Sequence, residues 1–296
     1  MSGAPIIFDR ALIRARQERA RRLGPATFLL ERVAQELADR LSVVVRHFAL
    51  AVDLGTPAAD VRRALANNPA VGRLIAASPR VEGASLAVIA NEEALPFAQS
   101  SLDLVVSALA LQTVNDLPGT LVQIRRALRP DGLLLAALLG GDTLGELRQS
   151  FATAEAEIEG GASPRVAPFA DVREIGALLQ RAGFALPVTD VDRVTVRYDS
   201  VFDLMRDLRR MGATSALIER RRAPLRRATL LRMVEIYQRN FSDPDGKLRA
   251  TFDIIWLSGW APHASQQQPL RPGSARARLA DALGVSEQPA GEKAGR

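Results

Sequence analysis

The sequence predicts an α/β fold built on a mainly parallel sheet, and three observations carry that prediction. Short apolar runs alternate with helix-period segments from Phe48 to Leu139, the pattern of successive βαβ units. The first run, Phe48–Leu54, ends in Asp53-Leu54-Gly55 and leads into a helix over Asp60–Leu65, which is the strand–turn–helix order of nucleotide-binding α/β proteins. With 296 residues, 47% of them hydrophobic, the chain is long enough to bury a large core.

The elements follow in order. Residues 8–46 read as helical, because Phe28, Leu29, Val33, Leu37 and Leu41 recur at helical spacing behind Thr27 as an N-cap. Strands are predicted at Phe48–Leu54, Arg73–Ala77, Leu86–Ala90, Leu102–Ser107 and Leu133–Leu139. Before the last of these, Pro118–Leu128 reads as a helix with proline in its first turn, and Arg129-Pro130-Asp131-Gly132 reads as a turn. Two segments interrupt the alternation. Gly140–Phe169 opens helical and ends in a loop rich in glycine and proline. After a helix at Asp171–Arg181, stopped by Gly183, Ser200–Asn240 is mostly helical and lies between strands at Val188–Tyr198 and Thr251–Trp260. Insertions at the carboxyl ends of sheet strands build lids over ligand crevices. From Pro262 the composition turns to Gln, Pro, Ala, Gly and Arg, and a disordered tail is predicted. The expected organisation is a helical arm over 1–46, an α/β domain over 47–262 with insertions at about 140–169 and 200–240, and a tail over 263–296.

Composition removes several kinds of chemistry. Without cysteine there is no disulfide, thiolate metal site or cysteine nucleophile. His47 and His263 are the only histidines, too few for a histidine-based zinc centre or a Ser-His-Asp triad, so no metal site is predicted. No apolar run approaches the ~18 residues of a membrane span. Met1–Asp9 lacks a basic segment followed by a long apolar one, so the protein is expected to be cytoplasmic. The formal charge is +6, nearly all of it arginine, clustered at Arg10–Arg22 and Arg206–Arg232. Such clusters suit an anionic partner or are simply solvated helix faces. Aromatic residues make up 5% of the chain and do not interleave with the basic runs, so nucleic acid is not expected.

Motifs narrow the class. Glu92-Glu93-Ala94-Leu95-Pro96-Phe97 followed by Leu102-Asp103-Leu104-Val105-Val106-Ser107 resembles the middle of class I S-adenosyl-L-methionine (SAM) methyltransferases, and Arg129-Pro130-Asp131-Gly132 resembles the turn before their fifth strand. Phe8-Asp9-Arg10, Val114-Asn115-Asp116-Leu117-Pro118, the segment Gly140-Gly141-Asp142-Thr143-Leu144-Gly145-Glu146-Leu147-Arg148, Ala182-Gly183-Phe184, and Leu204-Met205 through Met211-Gly212 are similar to the complex I assembly-factor family. That family has a methyltransferase fold, includes a mitochondrial arginine hydroxylase, and is akin to the malonyl carrier-protein methyltransferase of biotin synthesis. The resemblance spans roughly residues 6–268. It implies a Rossmann-like, seven-stranded, mainly parallel sheet, a helical lid, SAM as cofactor, and a protein partner, a respiratory complex I subunit being the candidate.

The resemblance also marks Asp53, Gly55 and Asn91 as cofactor-binding positions and exposes three departures. Two further glycines of the family's first motif are Pro57 and Ala59 here, so side chains stand where backbone approaches the cofactor, and Pro57 lacks an N–H donor. The acid that holds the ribose hydroxyls falls at Ala77, and the acid that meets the adenine amino group falls at Asn91. A charge-assisted hydrogen bond contributes about 1.5–3 kcal/mol, and each 1.4 kcal/mol is tenfold in affinity. The joint loss predicts SAM binding weakened from micromolar to millimolar or abolished, unless another loop geometry restores the contacts.

No catalytic residue is assigned. Asp53 either faces the cofactor or caps the helix after it. Asp142 and Thr143 sit at the rim after the fifth strand, either as substrate contacts or as an N-cap with Glu146 nearby. Arg148 and Arg165 either clamp an acidic partner or form surface ion pairs. Trp256 and Trp260, four apart on a strand, face one side of the sheet and are read as packing. The expected roles are therefore two: chaperoning a protein partner over an eroded cofactor loop, or SAM-dependent chemistry on a protein side chain or carrier-bound acyl group.

Overall fold

Strand β1 (Phe48–Leu54) is enclosed on both faces from Ala51 onward, as its unbroken apolar run requires. Around it the computed structural model, which describes residues 6–80, 84, 86–267 and 284–285, places β2 (Val71–Ser78), β3 (Ala87–Ile89), β4 (Leu102–Ala108), β5 (Leu128–Gly140), β6 (Ala185–Tyr198) and β7 (Leu248–Trp260). The sheet order is β3-β2-β1-β4-β5-β7-β6. Pairing is parallel from β3 to β5, and β7 runs antiparallel to both β5 and β6. The order reverses between the parallel neighbours β1 and β4, whose onward connections lead to opposite sides of the sheet and leave a crevice at their carboxyl ends.

Helices cover both faces. On one side α2 (Phe28–Ser42), α3 (Asp60–Leu65), α5 (Gly145–Glu159), α7 (Val201–Arg210) and α8 (Arg227–Phe241) pack against the sheet. On the other lie α4 (Leu117–Ala127) and α6 (Val172–Arg181), with Leu121, Ile124, Ile175 and Leu179 fully enclosed. Helix α6 starts on Asp171, whose carboxylate takes the Arg173 N–H, while Glu174 reaches back to the Asp171 N–H. Trp256 and Trp260 share one apolar layer, and the Arg40 guanidinium lies 4.3 Å from the centre of the Trp256 ring.

The helical reading of 8–46 needs correction. The chain breaks into α1 (Arg10–Arg22) and α2 at Gly24-Pro25, where Gly24 takes φ +78° and Pro25 cannot continue the first helix. Thr27 precedes α2, but its hydroxyl donates to Glu31 Oε1 instead of capping the backbone. Arg129–Gly132 is not a free turn: it lies inside β5, with Asp131 at φ +65° and its N–H given to the Ala261 carbonyl. Pairing with the chain beyond β7 keeps that kink within the sheet. The described residues up to Pro262 form one compact unit, and those from His263 belong to another. The predicted tail falls mostly outside the described residues.

Candidate functional site

The crevice at the carboxyl ends of β1 and β4 is built around Gly55. Its φ is +73°, its N–H bonds the Ala77 carbonyl at 2.7 Å, and a Cβ there would meet Glu92 Oε1 at 2.9 Å and Ala110 Cβ at 3.1 Å. Glycine is required at this position. The group beneath it, Glu92, is only 5% exposed, and its carboxylate is paired with the Arg10 guanidinium from the start of α1. Arg10 also donates to the Thr113 carbonyl at 3.1 Å. Two segments distant in sequence create this arrangement. Asn115 Oδ1 accepts the N–H groups of Ile7 and Phe8, both at 2.8 Å, and its own N–H goes to Glu93 Oε1 at 2.6 Å. Phe8-Asp9-Arg10 is thereby docked onto Val114-Asn115-Asp116. Farther along α1, Arg16 donates to the Thr214 carbonyl at 2.6 Å, tying the arm to the loop after α7. Arg10 and Glu92 were not singled out as site residues by sequence reasoning. Their contact spans 82 positions, and the only local signal was an adjacent pair of acids after an edge strand.

Asp53 lies behind the crevice, 2% exposed, with Oδ2 3.3 Å from Arg62 Nη1 and Oδ1 without a geometrically formed hydrogen bond among the described residues. Burial pushes its carboxyl up to about 6, against the pull of the Thr56 hydroxyl and of Arg62. It does not cap α3, whose preceding residue is Ala59. Asn91 is exposed, and its Oδ1 takes the Glu93 N–H at 3.2 Å. Asp142 points to solvent and pairs with Arg193 at 3.0 Å. Thr143 is wholly enclosed: its hydroxyl donates to the Gly140 carbonyl and accepts the Asp253 N–H, joining β5 to β7. Neither caps α5 by its side chain. Arg148 donates to the carbonyls of Thr143 and Ala167. Arg165 pairs with the buried Glu155 at 2.7 Å. Of the seven positions expected from the sequence, the structure brings Gly55 and Arg165 to one cavity wall and leaves the others off it.

That cavity holds about 660 Å³ between α1, α7 and the carboxyl ends of the strands. Its enclosed wall is apolar, formed by Ile13, Leu30, Leu144, Leu147, Phe151 and Phe252. Two buried polar atoms on it, Gln112 Oε1 and Ser215 Oγ, have no partner among the described residues.

SAM is the cofactor that the fold class implies, and the niche where it would lie does not fit it in the ordinary way. The recess bounded by Thr56, Ser78 and Arg80 is about 30 Å³ and shares Gly55, Pro57, Pro79 and Glu92 with the larger cavity. Ala77 is fully buried and has no group for a ribose hydroxyl, while the Ser78 hydroxyl is turned to the Arg80 carbonyl. Glu92 brings a carboxylate and its arginine to the backbone that the cofactor would approach.

A family model described as a methyltransferase domain matches residues 32–136. The mitochondrial arginine-hydroxylase NDUFAF5 of Homo sapiens is 41% identical over 281 residues, covering 91% of this chain and 81% of its own length. This chain belongs to the NDUFAF5 arginine-hydroxylase family. The Danio rerio NDUFAF5 is 38% identical over 289 residues, covering 93% and 89%. A malonyl-[acyl-carrier protein] O-methyltransferase of Laribacter hongkongensis is 41% identical over 201 residues, covering 68% and 63%. Among solved structures, a Bacillus halodurans protein described as a methyltransferase superposes with TM-score 0.53 at 15% identity, over 77% of this chain and 99% of that one, which shows the shared class I fold. The expectation of a cytoplasmic protein is overturned, since the NDUFAF5 relatives are mitochondrial proteins. The lack of a secretory pattern at Met1–Asp9 argued against export alone and did not discriminate among other compartments.

Proposed function

We propose that this NDUFAF5-family chain serves respiratory-complex assembly by holding a protein partner, with its cofactor niche closed by its own side chains. The observation that carries this reading is the Arg10–Glu92 pair beneath Gly55, where a charged, hydrogen-bonded contact fills the cofactor side of the crevice. The retained docking of Phe8–Arg10 on Asn115 supports it, because the segments shared with the assembly-factor family hold the arm in place while the cofactor loop has lost its glycines. A complex I subunit is the partner this reading names. The second reading is a SAM-dependent enzyme acting on a protein side chain or carrier-bound acyl group, as the relatives' names suggest. It is favoured by the cavity that opens beside Gly55. Genetic complementation separates the two. In source cells lacking this chain, assembled complex I is expected to fall, and Pro57→Trp, which obstructs the niche further, is expected to restore it as fully as the parent. If Pro57→Trp is expressed at parental level and fails to restore assembly, the enzyme reading replaces this one.

A further inference from the structure

The arm and the lid insertion meet along a seam of their own. Phe8 and Leu217 form an antiparallel bridge, with the Asp9 N–H on the Ala216 carbonyl and the Ile218 N–H on the Ile7 carbonyl, both at 2.9 Å. Phe8, Ile13, Ala216 and Leu217 close a small apolar cluster there. Three arginines hold the seam together. Arg16 donates to the carbonyls of Thr214 and Ser215, Arg19 Nη2 lies 3.4 Å from the Thr214 hydroxyl, and Arg220 donates to the Leu217 carbonyl at 2.8 Å. The turn of α1 separates these arginines from the site already described: Arg10, Ile13, Gln17 and Ala20 line the cavity, whereas Arg16 and Arg19 lie on another face of the helix.

These bonds go to carbonyls and a hydroxyl, so three positive charges gather on one seam with little to balance them. Asp9 is the one acid paired with them among the described residues, 3.7 Å from Arg220, and it is already engaged as the cap of α1, where it takes the Leu12 N–H. Glu219 is exposed and bonds none of the three among the described residues. Burial and the neighbouring Arg220 and Arg19 lower the pKa of Arg16, as crowded cations do. Beside the arginines, Ile7 and Ile218 are exposed across the bridge, as is Ile6 before them. Ser200–Asn240, which supplies the lid side, carries ten arginines against four acids, a formal +6 that equals the charge of the whole chain.

We infer that this seam is the docking surface for a protein segment in which aliphatic residues alternate with carboxylates, the aliphatic side chains on Ile7 and Ile218 and the carboxylates on Arg19 and Arg220. Guanidinium pairs with carboxylate through two parallel N–H donors, and a carboxylate also relieves the crowding around Arg16. Exposed apolar patches rimmed by polar groups mark interaction sites, and arginine is enriched at protein interfaces. This surface rests on the reading of the chain as the holder of a protein partner, and it gives that partner's contact segment an acidic and aliphatic character.

Fluorescence anisotropy of the full chain with a labelled peptide, Glu-Ile-Asp-Leu-Glu-Ile-Asp, tests the surface, with Gln-Ile-Asn-Leu-Gln-Ile-Asn as the uncharged control. The acidic peptide is expected to bind at least about tenfold tighter than the control, with an affinity that falls as salt rises. Arg19→Ala and Arg220→Ala are each expected to weaken the acidic peptide about tenfold, the scale of one lost charge-assisted contact, and to leave the control peptide unchanged. Ile218→Asp is expected to weaken both. Arg126→Ala, an exposed position where α4 runs into the start of β5, is expected to change neither. An unchanged Tm checks each variant, and Arg19→Gln and Arg220→Gln serve where alanine lowers it. Equal affinity for the two peptides, no binding of the acidic one, or a loss with Arg126→Ala as large as with Arg19→Ala overturns the inference. Binding of phosphatidylglycerol vesicles through the same arginines in place of the peptide overturns it too. Genetic complementation is read separately. Peptide binding at the seam together with complex I that assembles without the chain removes the assembly role and leaves the surface standing; assembly that needs the chain but tolerates Arg19→Glu/Arg220→Glu removes the surface alone.

Discussion

Asp53 is a buried carboxylate at the end of β1 whose ionisation works against the fold. One of its oxygens has no hydrogen-bond partner among the described residues, and Arg62 Nη1 lies 3.3 Å from the other. Burial raises its pKa to about 6, whereas in the unfolded chain it titrates near 3.9. Between those values the native state binds more protons than the unfolded state, so stability falls as pH rises from about 4 to 6 and the charge burdens the fold fully above 6. Asp53→Asn is therefore expected to stabilise the protein at pH 7.5 by about 1–3 kcal/mol, one pKa unit being ~1.4 kcal/mol. That gain should shrink towards zero as pH is lowered from 6 to 4, as read from urea unfolding across the range. A pH-independent difference would show that Asp53 is ionised at its ordinary value. Asp253 is the contrast: equally buried, it is held below the usual carboxylate range by Arg193 and the Asp142 N–H.

At the scale of elements, the arm formed by α1 is the part of the fold that sequence patterns described least well. Strand positions and the α2 segment were legible, because an unbroken apolar run such as Ala51–Leu54 and a helical spacing such as Val33, Leu37 and Leu41 are written into nearby residues. The break at Gly24-Pro25 was missed because the spacing that marked the helix, Phe28 to Leu41, belongs to α2 alone, and Arg129–Gly132 was misread because its turn residues are recruited into β5 by pairing beyond β7. The cofactor loop was legible in what it lacks, at Pro57, Ala59 and Ala77. What fills the space was not, since Arg10 and Glu92 meet only when the arm folds over the sheet edge. Both side chains are largely removed from solvent, at 16% and 6% exposed, so loss of one partner leaves the other charge uncompensated. Arg10→Ala is expected to destabilise the protein by about 2–4 kcal/mol. Arg10→Ala/Glu92→Ala should recover part of that loss, giving a coupling above ~1 kcal/mol in a double-mutant cycle. Additive effects in chemical denaturation would show that the pair does not hold the arm.

For the whole molecule, the sheet of a class I methyltransferase supports a cavity of about 660 Å³ beneath α1 and α7 that reaches Gly55, Pro57 and Glu92 at the expected cofactor niche, with a recess of about 30 Å³ beside it. The fold has kept its crevice at the β1–β4 switch point and placed the Arg10–Glu92 pair beside Gly55 there. The sequence carried the first half of that statement through Gly55 and its altered neighbours. It could not carry the second, because Arg10 and Glu92 lie 82 positions apart. The most direct test of the closed cofactor niche is calorimetric titration of the purified chain with SAM up to millimolar concentration, with thermal unfolding at saturating ligand alongside. The structure predicts no measurable heat and no rise in Tm; binding at tens of micromolar would contradict it and return Asp53 and Asn91 to the role of cofactor contacts.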